Sequence, residues 1–92
     1  MRRLKFRKQA LTDLEAIVAW HGQVAPEAVP RLLDDIYRAL DLLIDFPRAG
    51  MAVPSTRFRR IVTRRYHFKI AYEIAGDSVA VIGIFRFQNR SI

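Results

Sequence analysis

Apolar and polar positions follow two different periods along this chain. Residues 2–7 set Leu4 and Phe6 against Arg3, Lys5 and Arg7, the two-residue alternation of a half-buried strand. From about residue 8 to 22 the period lengthens, and Ala10, Leu11, Leu14, Ile17, Val18 and His21 fall on one helical stripe. Thr12 and Glu15 have the spacing of a capping box, which would start this helix later. Ala10 and Leu11 already lie on the same stripe, so the earlier start is preferred.

Gly22 and Pro26 interrupt the pattern before a second stripe of Val29, Leu32, Leu33, Ile36, Leu40, Leu43 and Ile44. Pro26 suits a first helical turn, but in a helix begun there Pro30 would remove an early backbone bond. The spacing therefore predicts a start near Val29, with residues 26–29 as a looser turn. Two amphipathic helices with so short a connection predict an antiparallel hairpin.

Phe46-Pro47-Arg48-Ala49-Gly50 ends the second helix, and a loop is expected to about Thr56. Three strands follow: Arg57–Thr63, Tyr66–Ile74 and Ser78–Phe85. The second alternates well, with Phe68, Ile70, Tyr72 and Ile74 against His67, Lys69, Ala71 and Glu73. Ala75-Gly76-Asp77 reads as a hairpin turn, and the near-continuous apolar run of the last strand reads as central. Residues 86–92 read as a short polar tail. The expected fold class is α+β in the order β-α-α-β-β-β, a helical hairpin on a mostly antiparallel four-stranded sheet. At 92 residues the chain is expected to be one domain, spanning 1–92.

Charge adds a second dimension. Lys and Arg number 16 and Asp and Glu 9, a net charge of +7, and the signs are segregated. Asp13, Glu15, Glu27, Asp34, Asp35, Asp41 and Asp45 all precede Phe46. From Phe46 to Tyr72 there is no acid, but there are Arg48, Arg57, Arg59, Arg60, Arg64, Arg65, His67 and Lys69. Such asymmetry points to a polyanionic or acidic partner. Charges stand where a signal peptide needs its apolar stretch, and the run from Val79 to Phe85 is too short to span a bilayer. A soluble, cytoplasmic protein without membrane contact is expected.

Several chemistries lack their residues. There is no cysteine, and His21 and His67 are far apart without acidic partners, so no metal site is expected. His21 near a helix end suits the helix dipole. Ser55, Ser78 and Ser91 sit in no nucleophile elbow, and the four glycines form no phosphate loop. Asp34 and Asp35 are adjacent on a helix, so they point apart and read as a solvated face. The basic strands are the strongest constellation. Arg57 and Arg59 are expected to share one strand face and Arg60 the other, with Phe58, Tyr66 and Phe68 interleaved. If the surface cleaved RNA, His67 would be the proton-transfer group, with Arg64, Arg65, Lys69 and Arg86 available to the phosphate.

Assembled in order, these segments resemble the RelE/ParE toxin superfamily across about residues 4 to 86. The resemblance rests on Ala10-x-x-Asp13-Leu14-x-x-Ile17, Ala25-Pro26-Glu27-Ala28, Phe46-Pro47-Arg48-x-Gly50, Phe68-x-Ile70-x-Tyr72, and Gly76-Asp77 with Val79-x-Val81-x-x-Ile84. It departs at Arg7, where a capping serine is common, and at Arg86, where many ParE-like chains have histidine. The resemblance implies a cognate antitoxin that wraps and neutralises the chain in a hetero-oligomer, and it implies no cofactor. It also implies one of two targets. ParE-like members trap DNA gyrase by binding, and RelE-like members cut messenger RNA on the ribosome. The residues after the last strand, Arg86-Phe87-Gln88-Asn89-Arg90, include no Tyr or His, which favours the ParE-like branch. The expected gyrase contacts are Arg57, Arg59, Arg60, Arg64, Arg65, Arg86 and Arg90; in a nuclease, His67, Arg65 and Arg86 would act instead. A third alternative is an inactive, toxin-like corepressor.

Overall fold

The computed structural model of the chain describes residues 3–86. Strand β1 (Arg3–Phe6) leads into helix α1 (Lys8–Val24), a 3₁₀ turn (Pro26–Ala28) and helix α2 (Val29–Asp45). Strands β2 (Met51–Ala52), β3 (Phe58–Val62), β4 (Lys69–Ala75) and β5 (Ser78–Phe85) follow. All five strands form one sheet in the order β1-β5-β4-β3-β2. Among the described residues only β1 with β5 is parallel; the other pairs are antiparallel.

Helix α2 starts at Val29, with Pro30 in its first turn, where a missing N–H costs no helical bond. Its stripe is the centre of the core: Leu32, Ile36, Leu40 and Leu43 are fully buried. Ala10 and Ile17 of α1 join them over Ile70, Val81 and Ile84 of the sheet. Each Leu or Ile so buried contributes about 1.5–3 kcal/mol. Leu43, Tyr72 and Val79 form a second cluster at the other end of the same face.

The sheet has five strands where the sequence predicts four. The addition, β2, pairs only two residues, Met51 with Arg60 and Ala52 with Arg59, too few to leave an alternating pattern. Strand β4 begins at Lys69 instead of Tyr66, because residues 63–68 fold into a turn held by side chains. Helix α1 ends at Val24, so His21 lies within its last turn. The His21 ring packs edge-on against Trp20 and Phe68, and its Nδ1 lies 2.9 Å from the Ile17 carbonyl.

Arg7, in place of a capping side chain, enters α1 with an extended backbone and no side-chain cap bond. Its backbone N–H extends the parallel ladder by donating to the Val81 carbonyl. Beyond Val81 the β5 edge has a bulge: Ala71 pairs with Gly83 and Tyr72 with Val81, leaving Ile82 over. Asp13 of α1 accepts the freed Ile84 N–H at 3.0 Å, so the helix replaces a strand there. That is the physical role of the acid in the Ala10-x-x-Asp13 motif. No helix among the described residues is long and apolar enough to cross a membrane.

Candidate functional site

The turn between β3 and β4 carries two exposed arginines of the predicted set, Arg64 and Arg65. It is a built structure. Thr63 N–H donates to the Phe68 carbonyl and Phe68 N–H to Thr63 Oγ1, both at 2.9 Å. Asp35 reaches across from α2 and accepts Arg65 N–H at 3.0 Å and Tyr66 N–H at 2.7 Å. Burial raises the Asp35 pKa, but the bonds from Tyr66 N–H, the Thr63 hydroxyl and Arg65 N–H, with the Arg65 charge, outweigh it and leave the group below the ordinary 3.8. The Asp34-Asp35 pair is therefore split. Asp34 is solvated and holds Arg38 at 2.8 Å, while Asp35 is 7% exposed and anchors the turn, contrary to the solvated face read from sequence.

His67 closes this turn with φ 59, off the strand expected for it. A left-handed backbone costs a residue with a Cβ about 1–2 kcal/mol, and least for His, Asn and Asp among them. We expect His67→Gly to keep the fold within about 1 kcal/mol of the parent and His67→Val to be about 1–2 kcal/mol worse than glycine. Urea midpoints of the two variants measure this. A β-branched residue as stable as glycine would show that the turn is not held in this geometry.

The remaining arginines do not share one surface. Strand pairing places Arg59 opposite Tyr72 on the helix side and Arg60 opposite Ala71 on the other face. Arg57 does not share a face with Arg59. It stands before β3 and turns to Glu73, whose partner on β3 is Phe58. Glu73, only 8% exposed, holds both Arg7 at 2.9 Å and Arg57 at 3.0 Å on the face away from the helices. Arg59 donates to the Gly50 carbonyl at 2.7 Å, a scaffold bond. Arg86 stacks on Trp20 of α1, 4.0 Å from the ring centroid. Arg90 lies outside the described residues. The turn thus joins His67 and Arg65, and Arg86 belongs to the Trp20 corner.

Sequence reasoning did not find Asp35, Glu73 or the Tyr72 corner. The Tyr72 hydroxyl donates to the Pro47 carbonyl at 2.7 Å and accepts Gly50 N–H at 2.9 Å. Burial pushes its pKa above the usual phenol value, against lowering by Gly50 N–H and nearby Arg59. The Phe46-Pro47-Arg48-x-Gly50 and Phe68-x-Ile70-x-Tyr72 motifs are therefore two halves of one structural corner. Among the described residues no three His, Cys, Asp or Glu side chains cluster as metal ligands would.

The same architecture occurs in toxin–antitoxin structures. The chromosomal ParDE system from P. aeruginosa is similar with a TM-score of 0.82 and 23% identity, over 96% of this chain and 98% of that one. The intact E. coli RelBE toxin–antitoxin complex is similar with a TM-score of 0.64 and 17% identity, over 94% of this chain and 96% of that one. At these identities the likeness is one of fold. No curated protein gives a significant match. The family described as ParE toxin of type II toxin–antitoxin system, parDE, matches residues 4–92. The chain belongs to the ParE toxin family.

Proposed function

We propose that this chain is the toxin of a type II toxin–antitoxin pair, that it acts in the cytoplasm by binding DNA gyrase, and that a cognate antitoxin neutralises it in a hetero-oligomer. Membership of the ParE family supports the pairing with an antitoxin. The observation that carries the contact surface is the anchored turn. Arg64 and Arg65 are exposed, neither enters a salt bridge among the described residues, and the backbone beneath them is fixed by Asp35, whose carboxylate also feels the Arg65 charge. A charged loop held in one conformation loses little entropy on docking. Of the other candidates, Arg57, Arg59 and Arg86 are engaged within the chain, by Glu73, the Gly50 carbonyl and Trp20. Arg60 adds its charge on the outer sheet face, and Arg90 remains a candidate outside the described residues.

Arg64→Glu combined with Arg65→Glu is expected to lower toxicity and gyrase inhibition at least about tenfold in a folded protein. Supercoiling by purified gyrase, with circular dichroism of the variant, measures it. Full inhibition by a folded double variant would remove the turn from the contact.

A second reading keeps its own observation: His67 and Arg65 occupy the same turn. In a ribosome-dependent messenger-RNA nuclease, His67 would transfer the proton and Arg65 and Arg86 would face the phosphate. Pulse labelling after induction separates the two. Early loss of DNA synthesis supports the gyrase reading, and early loss of protein synthesis with cut transcripts supports the nuclease. Harmless accumulation of folded protein would instead favour a corepressor.

A further inference from the structure

The sheet face turned away from the helices is a separate surface, and strand register fixes what stands on it. Directly paired residues share a face, and successive residues alternate. Ile70, Tyr72 and Ile84 belong to the core beneath the helices, so Lys69, Ala71, Glu73 and Phe85 stand on the outer face. One cross-strand row runs Lys5, Ala80, Glu73, Phe58. The next joins Gly83, Ala71 and Arg60, and the third joins Phe85 and Lys69. Arg3 shares the face of Lys5, and the Arg7 guanidinium reaches Glu73 on the same side.

This face is strongly basic. Arg3, Lys5, Arg7, Arg57, Arg60 and Lys69 all bring charge to it. Among the described residues Glu73 is the only carboxylate at a paired outward position, and Arg7 and Arg57 already share it. Arg3 and Lys5 are exposed and enter no salt bridge among the described residues. Like charges so close together repel, and a bound polyanion relieves the repulsion.

Between the cations the floor is small and apolar, formed by Ala71, Ala80 and Gly83. Phe85 folds back over Gly83, where a Cβ would lie 2.8 Å from the tip of its ring. The missing side chain thus gives the ring its place low on the sheet. Phe58 stands at the opposite corner of the floor, two strands away and four residues along. Strand spacing and rise put the two phenylalanines about 16 Å apart.

We propose that this outer face binds single-stranded DNA, with phosphates at Arg3, Lys5 and Lys69 and bases stacked on Phe58 and Phe85. Aromatic rings take bases of any sequence, and flanking cations hold the backbone. A duplex keeps its bases stacked within itself and leaves both rings unused. An acidic peptide meets the cations but offers the rings no base. An RNA strand adds 2′-hydroxyls, for which the alanine and glycine floor has no side-chain acceptor, Glu73 being held by two arginines. The site uses neither the Arg64–Arg65 turn nor the Trp20 corner of Arg86, so it stands or falls apart from both readings above.

Fluorescence anisotropy of the purified chain with a labelled oligothymidylate of about ten nucleotides tests this. Arg3→Glu with Lys5→Glu should weaken binding about tenfold or more. The slope of log affinity against log salt should fall by about 1.4, as for two lost phosphate contacts on a single strand. Arg31→Glu with Arg38→Glu makes the same change of net charge on α2, behind the sheet, and should have a smaller effect. Phe85→Leu should cost about fivefold or more, and Phe85→Tyr, which keeps the ring, should bind within about twofold of the parent. Circular dichroism checks that each variant is folded. An abasic oligonucleotide of the same length tests stacking without any substitution, and should bind about tenfold more weakly. Equal loss from the two charge-reversed pairs overturns the assignment to this face. Equal binding of the abasic strand overturns stacking, and no binding of oligothymidylate overturns the proposal outright. So does tighter binding of an oligouridylate, a duplex of the same length or a polyglutamate. None of these readouts involves gyrase or transcript cleavage, so their outcome is independent of the target.

Discussion

Asp35→Ala is expected to cost about 3 kcal/mol of folding free energy and to loosen the arginine-bearing turn. The carboxylate accepts two backbone N–H groups, from Arg65 and Tyr66, and it also takes up the Thr63 hydroxyl. Each buried polar group left unsatisfied costs about 1–3 kcal/mol, and water entering the cut returns part of that. The effect should appear in the urea midpoint and in faster amide exchange at Arg65 and Tyr66. Exchange unchanged at those two amides would show that something other than Asp35 holds the turn. Acid supplies an independent check. The pKa of Asp35 is lowered on folding, so its contribution is fully present above the unfolded value of 3.8. It is lost as pH falls through the lower folded value. Asp35→Asn should therefore be less stable at neutral pH but should lose less stability than the parent below about pH 4.

Gly50→Ala is expected to cost a similar amount, about 2–4 kcal/mol, for a steric reason. A Cβ at this position would lie 2.5 Å from the Tyr72 hydroxyl and 2.6 Å from the Arg60 carbonyl oxygen. The phenol could swing away only by giving up the Pro47 and Gly50 bonds, and the Arg60 carbonyl belongs to a paired strand. Tyr72→Phe alone should cost about 1 kcal/mol for the lost hydroxyl bonds. The double variant should be less destabilised than the sum, because the collision with the hydroxyl is gone while those with the ring carbon Cε1, 2.8 Å away, and the Arg60 carbonyl remain. Strict additivity in urea melts would mean that the phenol is not what excludes the side chain.

These two residues also show where the sequence was legible. The stripe of α2 was readable because Leu32, Ile36, Leu40 and Leu43 repeat at the helical period and all four are buried. The start at Val29 followed from Pro30, a local rule. Asp35 could not be separated from Asp34 in the same way. Its role depends on the turn 30 residues away, to which no periodicity points. The same turn ended the alternation early: Tyr66 to Phe68 fit a strand by pattern, yet Asp35 and Thr63 capture their backbone. The arginines led to the expectation of an acidic partner, but did not show which of them were committed within the chain. Glu73 holding Arg7 and Arg57 reflects strand register, which only the paired sheet defines.

The parallel pairing of the first strand with the last has a bearing on synthesis. Arg3 to Phe6 lie against Ser78 to Val81, and Asp13 of the following helix closes on Ile84. The N-terminal strand therefore has no strand to pair with until β5 has left the ribosome. Its helical hairpin can form early but has no sheet to cover. The proposed contact surface, borne on this sheet, is complete only after β5 has been made, which gives a waiting partner time to meet the chain before that surface exists.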